Sequence, residues 1–82
     1  MKISVDISYY PLTEEYVVPI LDFIARLNQY MQIAVETNGM STQVFGEFDD
    51  VMNAISVEMK KSFELPHSVF VMKFVNAHLQ KS

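Results

Sequence analysis

Six polar side chains lie at or near the ends of predicted strands, where they could bind one small molecule together. They are Ser8, Tyr10, Thr37, Ser41, Thr42 and Glu47. Hydroxyl and carboxylate groups supply hydrogen-bond donors and acceptors, and the tyrosine ring adds an apolar surface. Serine and threonine at strand ends also commonly satisfy neighbouring backbone groups. A binding site and a purely structural role therefore both remain open for this set.

Catalytic and metal chemistry have much weaker support. The two histidines, His67 and His78, have no carboxylate partner at the spacing that helical metal ligands require. Cysteine is absent, which excludes disulfides, thiolate metal sites and cysteine nucleophiles. No glycine-rich phosphate loop, H-E-x-x-H motif or serine-nucleophile elbow occurs. We therefore expect no catalytic residue, no metal and no cofactor.

Composition limits the size and the partners of the protein. The 82 residues predict a single domain over residues 1–82, and half of them are hydrophobic, which favours a packed core. No apolar run reaches the roughly 18 residues of a membrane span, and the first residues lack the apolar core of a signal peptide. We expect a cytoplasmic protein with no membrane contact. The net charge of −4 argues against nucleic-acid binding and is compatible with a cationic small molecule.

The first half of the chain predicts a strand and a helix. Polar and apolar residues alternate from Lys2 to Tyr9, and Pro11 is expected to end this strand because it has no amide donor. Thr13 can cap a helix, and Pro19 indicates either a regular helix that begins near Val18 or an earlier helical turn that is kinked at the proline. One apolar helical face is formed by Ile20, Phe23, Ile24 and Leu27.

The middle of the chain combines a turn, a strand and a helix start within a few residues. Asn38-Gly39 indicates a turn, because both residues tolerate positive φ. Rough alternation from Ser41 to Phe48 predicts a strand. Gly46 within it indicates a bulge or a close approach of the backbone by another group. Asp49-Asp50 offers an N-cap and favourable charge for the helix that follows.

The order of elements predicts the fold class. The residue pattern predicts a second strand over residues 31–37, a second helix that runs to about Ser62, and a fourth strand over residues 68–76. The order β-α-β-β-α-β is typical of the α+β, ferredoxin-like sandwich, in which both helices lie on one face of a four-stranded antiparallel sheet.

The opposite sheet face, called the open face below, is too apolar on its last strand to be purely solvated. Its predicted members are Ser4, Asp6, Ser8, Glu36, Gln43, Phe45, Glu47, Val69, Val71 and Lys73. A ligand or a second subunit is expected to cover part of it. The second and fourth strands would be edges with unpaired backbone groups. We therefore expect a homodimer or a tetramer.

Two functions of this fold can be compared with the third strand. RNA-binding modules of the same order carry basic and aromatic residues there, whereas this strand has no basic residue and Phe45 stands alone. The hydroxyls and carboxylate instead suit an aminopyrimidine ring, which needs donors and acceptors along one edge and apolar contact on its faces. A thiazolium cation would in addition be attracted to aromatic rings and acids.

Two stretches carry a resemblance to a known family. Residues 7–12 are Ile-Ser-Tyr-Tyr-Pro-Leu, and residues 37–52 are Thr-Asn-Gly-Met-Ser-Thr-Gln-Val-Phe-Gly-Glu-Phe-Asp-Asp-Val-Met. With residues 59–62 and 69–74, they resemble the YkoF-type thiamine/hydroxymethylpyrimidine-binding family over nearly the whole chain. The most specific part is Ser-Thr-x-Val-x-Gly-x-x-Asp, matched by Ser41, Thr42, Val44, Gly46 and Asp49.

This resemblance implies a ferredoxin-like protein without enzymatic activity that is associated with uptake or salvage of thiamine or its precursor. It makes Ser8, Tyr10, Ser41 and Thr42 the first ligand-contact candidates. The type member joins two such domains, so a single-domain chain would form the equivalent pair from two subunits. We expect strands one and three to run parallel, which would place Ser8 and Ser41 towards opposite ends of the sheet. The alternative function is a ferredoxin-like dimerisation or regulatory module without a small-molecule ligand.

Overall fold

A computed structural model describes residues 1–81. Its elements are β1 (Lys2–Pro11), α1 (Val17–Leu27), β2 (Ala34–Thr37), β3 (Thr42–Glu47), α2 (Phe48–Ser62) and β4 (Ser68–Val75). The strands form one antiparallel sheet in the order β2-β3-β1-β4, so β2 and β4 are the edges. The predicted ferredoxin-like α+β fold is confirmed. Neither helix in this part of the chain is long and apolar enough to cross a membrane.

The core lies between the sheet and the two helices. Every second residue of β1 is buried there, because adjacent side chains of a strand point to opposite faces. Both helices pack against this face of the sheet: α1 contributes Phe23 and Leu27, and α2 contributes its apolar stripe. The core comprises Ile3, Val5, Ile7, Tyr9, Phe23, Leu27, Val44, Val51, Ala54 and Ile55.

The relative direction of β1 and β3 corrects one prediction. The two strands are antiparallel, with Ile7 opposite Thr42, so the expectation that they run parallel is wrong. The parallel strands are β1 and β2, because β3 lies between them and is antiparallel to both. Ser8 and Ser41 therefore lie at the same end of the sheet. Both serines can therefore contribute to one site.

The predicted end of β1 is also wrong, since the strand continues through Pro11. Pro11 lies opposite Ser68, and the ladder is maintained by the Leu12 amide, which donates to the His67 carbonyl at 3.1 Å. In this register the nitrogen of Pro11 faces away from β4. The pairing of β1 with β3 has already ended at Ile7, so the amide hydrogen that Pro11 lacks costs no hydrogen bond.

Both helix starts differ from the predicted caps. The helix α1 begins at Val17, so Thr13 is outside it, and Pro19 falls in the first turn, where amides have no intrahelical acceptor. In α2 the N-cap position is occupied by Glu47, whose side chain makes no capping bond, and Asp49-Asp50 lies in the first turn. The first amide of α2 is satisfied by the Met1 carbonyl instead, at 2.8 Å.

Gly46 confirms the predicted close approach. A Cβ atom at this position would lie 3.3 Å from the backbone oxygen of Gln32 and 3.3 Å from Cγ2 of Val51. Residues 31–33 therefore pass close to the end of β3 without pairing with it. The strand β2 begins only at Ala34, opposite Phe45, and is shorter than the predicted 31–37.

Candidate functional site

A small cavity lies at the end of the sheet, between the strand ends and α1. Its volume is about 150 Å³. The ends of β1, β2 and β3 and the loop between β2 and β3 contribute polar groups, and α1 contributes apolar side chains. Five of the six predicted residues line it, namely Ser8, Tyr10, Thr37, Ser41 and Thr42. The antiparallel register of β1 and β3 is what brings them to one place.

Glu47 is the exception. It lies at the far end of β3, five residues after Thr42, which corresponds to roughly 17 Å along a strand. Its carboxylate pairs with the amino group of Met1 at 3.1 Å, and both groups are exposed. The structure therefore does not bring Glu47 to the cavity. Among residues 1–81, no group of three or more His, Asp or Glu side chains could hold a metal ion.

Two threonine hydroxyls face each other beside the cavity. Thr37 and Thr42 are cross-strand partners, and their Oγ1 atoms are 3.3 Å apart. Thr42 pairs with Ile7, so its side chain lies on the helix-covered face, where it is buried, whereas Thr37 is exposed at the edge. A hydroxyl donates one hydrogen bond and accepts two, so this pair retains capacity for a ligand.

The hydroxyl of Ser41 has a different environment from that of Thr42. It donates to Oδ1 of Asp6 at 2.6 Å and lies 2.7 Å from Nε2 of Gln43, which donates to it. Gln43 also donates to the same Asp6 oxygen at 2.9 Å. Ser41 thus joins the cavity to a polar cluster on the open face. Hydrogen bonds from Ser41 and then Gln43 lower the pKa of Asp6, so the carboxylate is ionised at neutral pH.

The loop between β2 and β3 is held by its own first residue. Oδ1 of Asn38 accepts the backbone N–H groups of Met40 at 2.8 Å and Ser41 at 3.0 Å. The backbone N–H of Asn38 donates to the Ser41 carbonyl at 3.1 Å. The predicted turn is confirmed in position, but Gly39 does not use positive φ. The side chain of Asn38 closes the loop instead, which orders one wall of the cavity.

A larger cleft of about 540 Å³ lies on the open face. Residues after β4 pass over part of this face, because the buried hydroxyl of Ser4 donates to the Ala77 carbonyl at 2.7 Å and accepts the Leu79 amide at 2.9 Å. His78 lies edge-on to Phe45, with ring centroids 6.1 Å apart. The chain itself therefore covers the end of the open face that carries Ser4 and Phe45.

Two side-chain clusters are not predicted by the sequence. The first is the group around Asp6, which the sequence places on the open face without indicating a site. The second joins the helices, where Arg26 and Tyr30 bind the carboxylate of Glu58. Periodicity offered a signal for the second cluster, because Glu58 follows Val51 and Ile55 at seven and three residues and so falls on the buried stripe of α2.

Comparisons with known proteins support the fold. No family model matches the chain, and no curated protein matches it significantly. A hypothetical protein from Methanocaldococcus jannascii superposes with a TM-score of 0.80 at 20% identity, covering 98% of this chain and 84% of that one. A proposed thiamine biosynthesis/salvage protein from Thermotoga maritima gives a TM-score of 0.83 at 19% identity, covering 94% and 85%.

A domain of unknown function from Bacillus cereus is a third neighbour, with a TM-score of 0.71 at 14% identity over 100% of this chain and 82% of that one. All three share the architecture of this chain, and at these identities the similarity shows the fold alone. It agrees with the YkoF-type resemblance at the level of fold.

Proposed function

We propose that this protein binds the pyrimidine ring of hydroxymethylpyrimidine or thiamine, without catalysis or a cofactor, in uptake or salvage of the vitamin. One observation carries the proposal: five of the six polar residues predicted from the sequence line one cavity of single-ring size, beside which the hydroxyls of Thr37 and Thr42 are paired. The Thermotoga maritima neighbour, described as a proposed thiamine biosynthesis/salvage protein, is consistent with this ligand class.

The cavity has the two kinds of surface that an aminopyrimidine needs. Ile20, Phe23 and Ile24 of α1 provide apolar contact for the faces of a ring. Thr37 and Thr42 provide hydroxyls for its nitrogen-bearing edge. Because a hydroxyl is both donor and acceptor, the pair can match a ring nitrogen and an amino group at once. The Asn38-closed loop holds this edge in place before a ligand arrives, which reduces the ordering cost of binding.

Replacing Thr42 with valine tests the site directly. Thr42→Val keeps the shape of a buried side chain and removes its hydroxyl. We expect calorimetric affinity for hydroxymethylpyrimidine to fall by at least about fivefold, the scale of one lost hydrogen bond of roughly 1 kcal/mol. The matched control is Ser56→Ala, which removes an exposed hydroxyl on α2 that bonds only the Asn53 carbonyl. Unchanged affinity in Thr42→Val would reject this assignment.

The alternative is a dimerisation module, and the open face is the observation that favours it. Val69 and Val71 on the edge strand β4 are 41% and 54% exposed. We propose that a second copy covers them, giving a homodimer or a tetramer, and this holds with or without a ligand. Light scattering should give a mass above that of the 9.5 kDa chain, and Val71→Lys should lower it. A monomer at micromolar concentration would contradict this assembly.

A further inference from the structure

The cavity at the end of the sheet is lined by no carboxylate, ammonium, guanidinium or imidazole group. The residues that line it are apolar, hydroxylic or amide-bearing, and none is Asp, Glu, Lys, Arg or His. Phosphate groups in proteins are bound chiefly by Lys, Arg or free amides of a helix N-terminus or a loop, and here the loop amides of Met40 and Ser41 are already bonded to Asn38. Here α1 contributes Ile20, Phe23 and Ile24, whereas residues 17–19 of its first turn do not line the cavity. None of these phosphate-binding groups is therefore available.

The electrostatic environment also disfavours an anion. Ser41, which lines the cavity, donates a 2.6 Å hydrogen bond to Asp6, and the lowered pKa of Asp6 means that this carboxylate is charged. Lys73 lies 4.0 Å from the other carboxylate oxygen, but its side chain is 82% exposed and on the open face. A phosphate in the cavity would thus lie near a fixed negative charge and have no fixed positive partner.

The size of the cavity sets a second limit. A protein cavity of about 150 Å³ holds one benzene molecule, whereas sites for drug-sized ligands begin at about 300 Å³. One substituted six-membered ring fills the available volume. This volume leaves no room for a second ring or for a phosphate group beside the first ring.

We propose that the cavity selects a neutral single-ring pyrimidine and discriminates against its phosphorylated forms, with the second ring of thiamine adding no affinity. This inference rests on the proposed function and specifies which ligand of that class the site takes. It places the protein before any phosphorylation step, because a phosphate ester of the ring would no longer bind well.

Calorimetry of the full chain with three compounds tests the selectivity. We expect hydroxymethylpyrimidine to bind at least tenfold more tightly than its monophosphate, and thiamine to bind no more tightly than hydroxymethylpyrimidine. Equal or tighter binding of the monophosphate would overturn the selectivity and leave the proposed function standing. Tighter binding of thiamine would overturn the size limit in the same way. If none of the three compounds binds, the proposed function itself fails.

A single added charge provides the complementary test. Met40 lies at the cavity and is 89% exposed, so Met40→Lys is compatible with folding. We expect this variant to shift the ratio of the two affinities at least fivefold towards the monophosphate, with the gain weakening as salt is added. Met31→Lys is the matched control, since Met31 is 95% exposed, precedes the other end of β2 and adds the same charge. An unchanged ratio in Met40→Lys, or an equal shift in Met31→Lys, would overturn the electrostatic explanation.

Discussion

Two carboxylates in this protein are held by similar hydrogen bonds in opposite environments. Glu58 lies between the two helices and is only 8% exposed, whereas Asp6 lies on the open face with a side chain that is 33% exposed. Glu58 accepts hydrogen bonds from one neutral donor and from a guanidinium cation, whereas Asp6 accepts from two neutral donors and has an ammonium cation 4.0 Å away. The difference distinguishes a carboxylate that stabilises the fold from one that remains accessible to ligands and partners.

The Glu58 carboxylate is buried, and each of its two oxygens accepts a hydrogen bond. Nε of Arg26 donates to Oε1 of Glu58 at 2.8 Å, and the hydroxyl of Tyr30 donates to Oε2 at 2.6 Å. The same guanidinium group reaches the Ser62 hydroxyl at 2.7 Å, so one arginine joins α1 to two turns of α2. The hydrogen bond to Glu58, with some desolvation, raises the pKa of Tyr30. This cluster is a structural connection between the helices.

The Asp6 cluster is open on one side. Oδ1 accepts both neutral donors, while Oδ2 has only the distant and exposed ammonium group of Lys73. Solvent screens such a pair, so its contribution to the free energy of unfolding is small. The difference between the clusters comes from burial, because an unpaired charge costs most where water cannot reach it. Asp6 is therefore the carboxylate that can respond to pH, to a ligand or to a partner.

The largest expected effect follows from breaking the buried cluster. Glu58→Ala leaves the half-buried guanidinium of Arg26 and the hydroxyl of Tyr30 without their acceptor. We expect the free energy of unfolding to fall by about 3–5 kcal/mol, the usual cost of removing one partner of a buried ion pair. Urea denaturation measures this change. Glu36→Ala, which removes an exposed carboxylate on β2, should change stability by less than about 0.5 kcal/mol.

Tyrosine titration sharpens the same experiment. Removing the Glu58 carboxylate should lower the pKa of Tyr30 towards its ordinary value of 10.0, because the hydrogen bond to that carboxylate is the main cause of the upward shift. A difference spectrum against the unsubstituted protein isolates this residue from the other tyrosines. If Glu58→Ala lowers the free energy of unfolding no more than Glu36→Ala, burial would not explain the difference in stability between the two clusters.

Much of the sheet could be predicted, because strand periodicity reports directly which side is buried. Alternation along β1 predicted the inward positions of Ile3, Val5 and Ile7, and all three are buried. The helix caps could not be predicted in the same way. Thr13 has the right chemistry for a cap, but α1 starts later, at Val17. Pro19 explains this start, because a helix that began at Glu14 would need an amide hydrogen, which proline lacks, to bond the Glu15 carbonyl.

The candidate site was predictable in residue type and only partly in position. Hydroxyls at strand ends identified Ser8, Thr37 and Thr42, since strand ends of neighbouring strands meet at the sheet edge. Glu47 was placed with them by its closeness to Gly46 in sequence, although a strand of six residues separates its ends by roughly 17 Å. The face of the sheet on which each hydroxyl lies also determines its partners. Ser41 binds Asp6 on the open face, while Thr42 is buried on the helix side.

The smallest expected effect is at the open cluster, and it depends on pH. Asp6→Asn removes the negative charge while keeping the size of the side chain. The pKa of Asp6 is lowered in the folded protein, first by the hydrogen bond from Ser41 and then by that from Gln43. A carboxylate with a lowered folded pKa stabilises the protein above its unfolded pKa and loses that contribution as pH falls through the folded value.

We therefore expect Asp6→Asn to be less stable than the unsubstituted protein by less than about 1 kcal/mol at pH 7, because the group is partly exposed and screened. The difference should begin to shrink near the ordinary aspartate value of 3.8 and should disappear at lower pH, once the folded protein is also protonated. Urea denaturation at pH 7, 4 and about 2 measures it. A difference in stability that stayed constant over this pH range would mean that Asp6 acts through the shape of its side chain, because its charge is lost within the range. A loss at pH 7 as large as that of Glu58→Ala would remove the distinction between the closed and the open cluster.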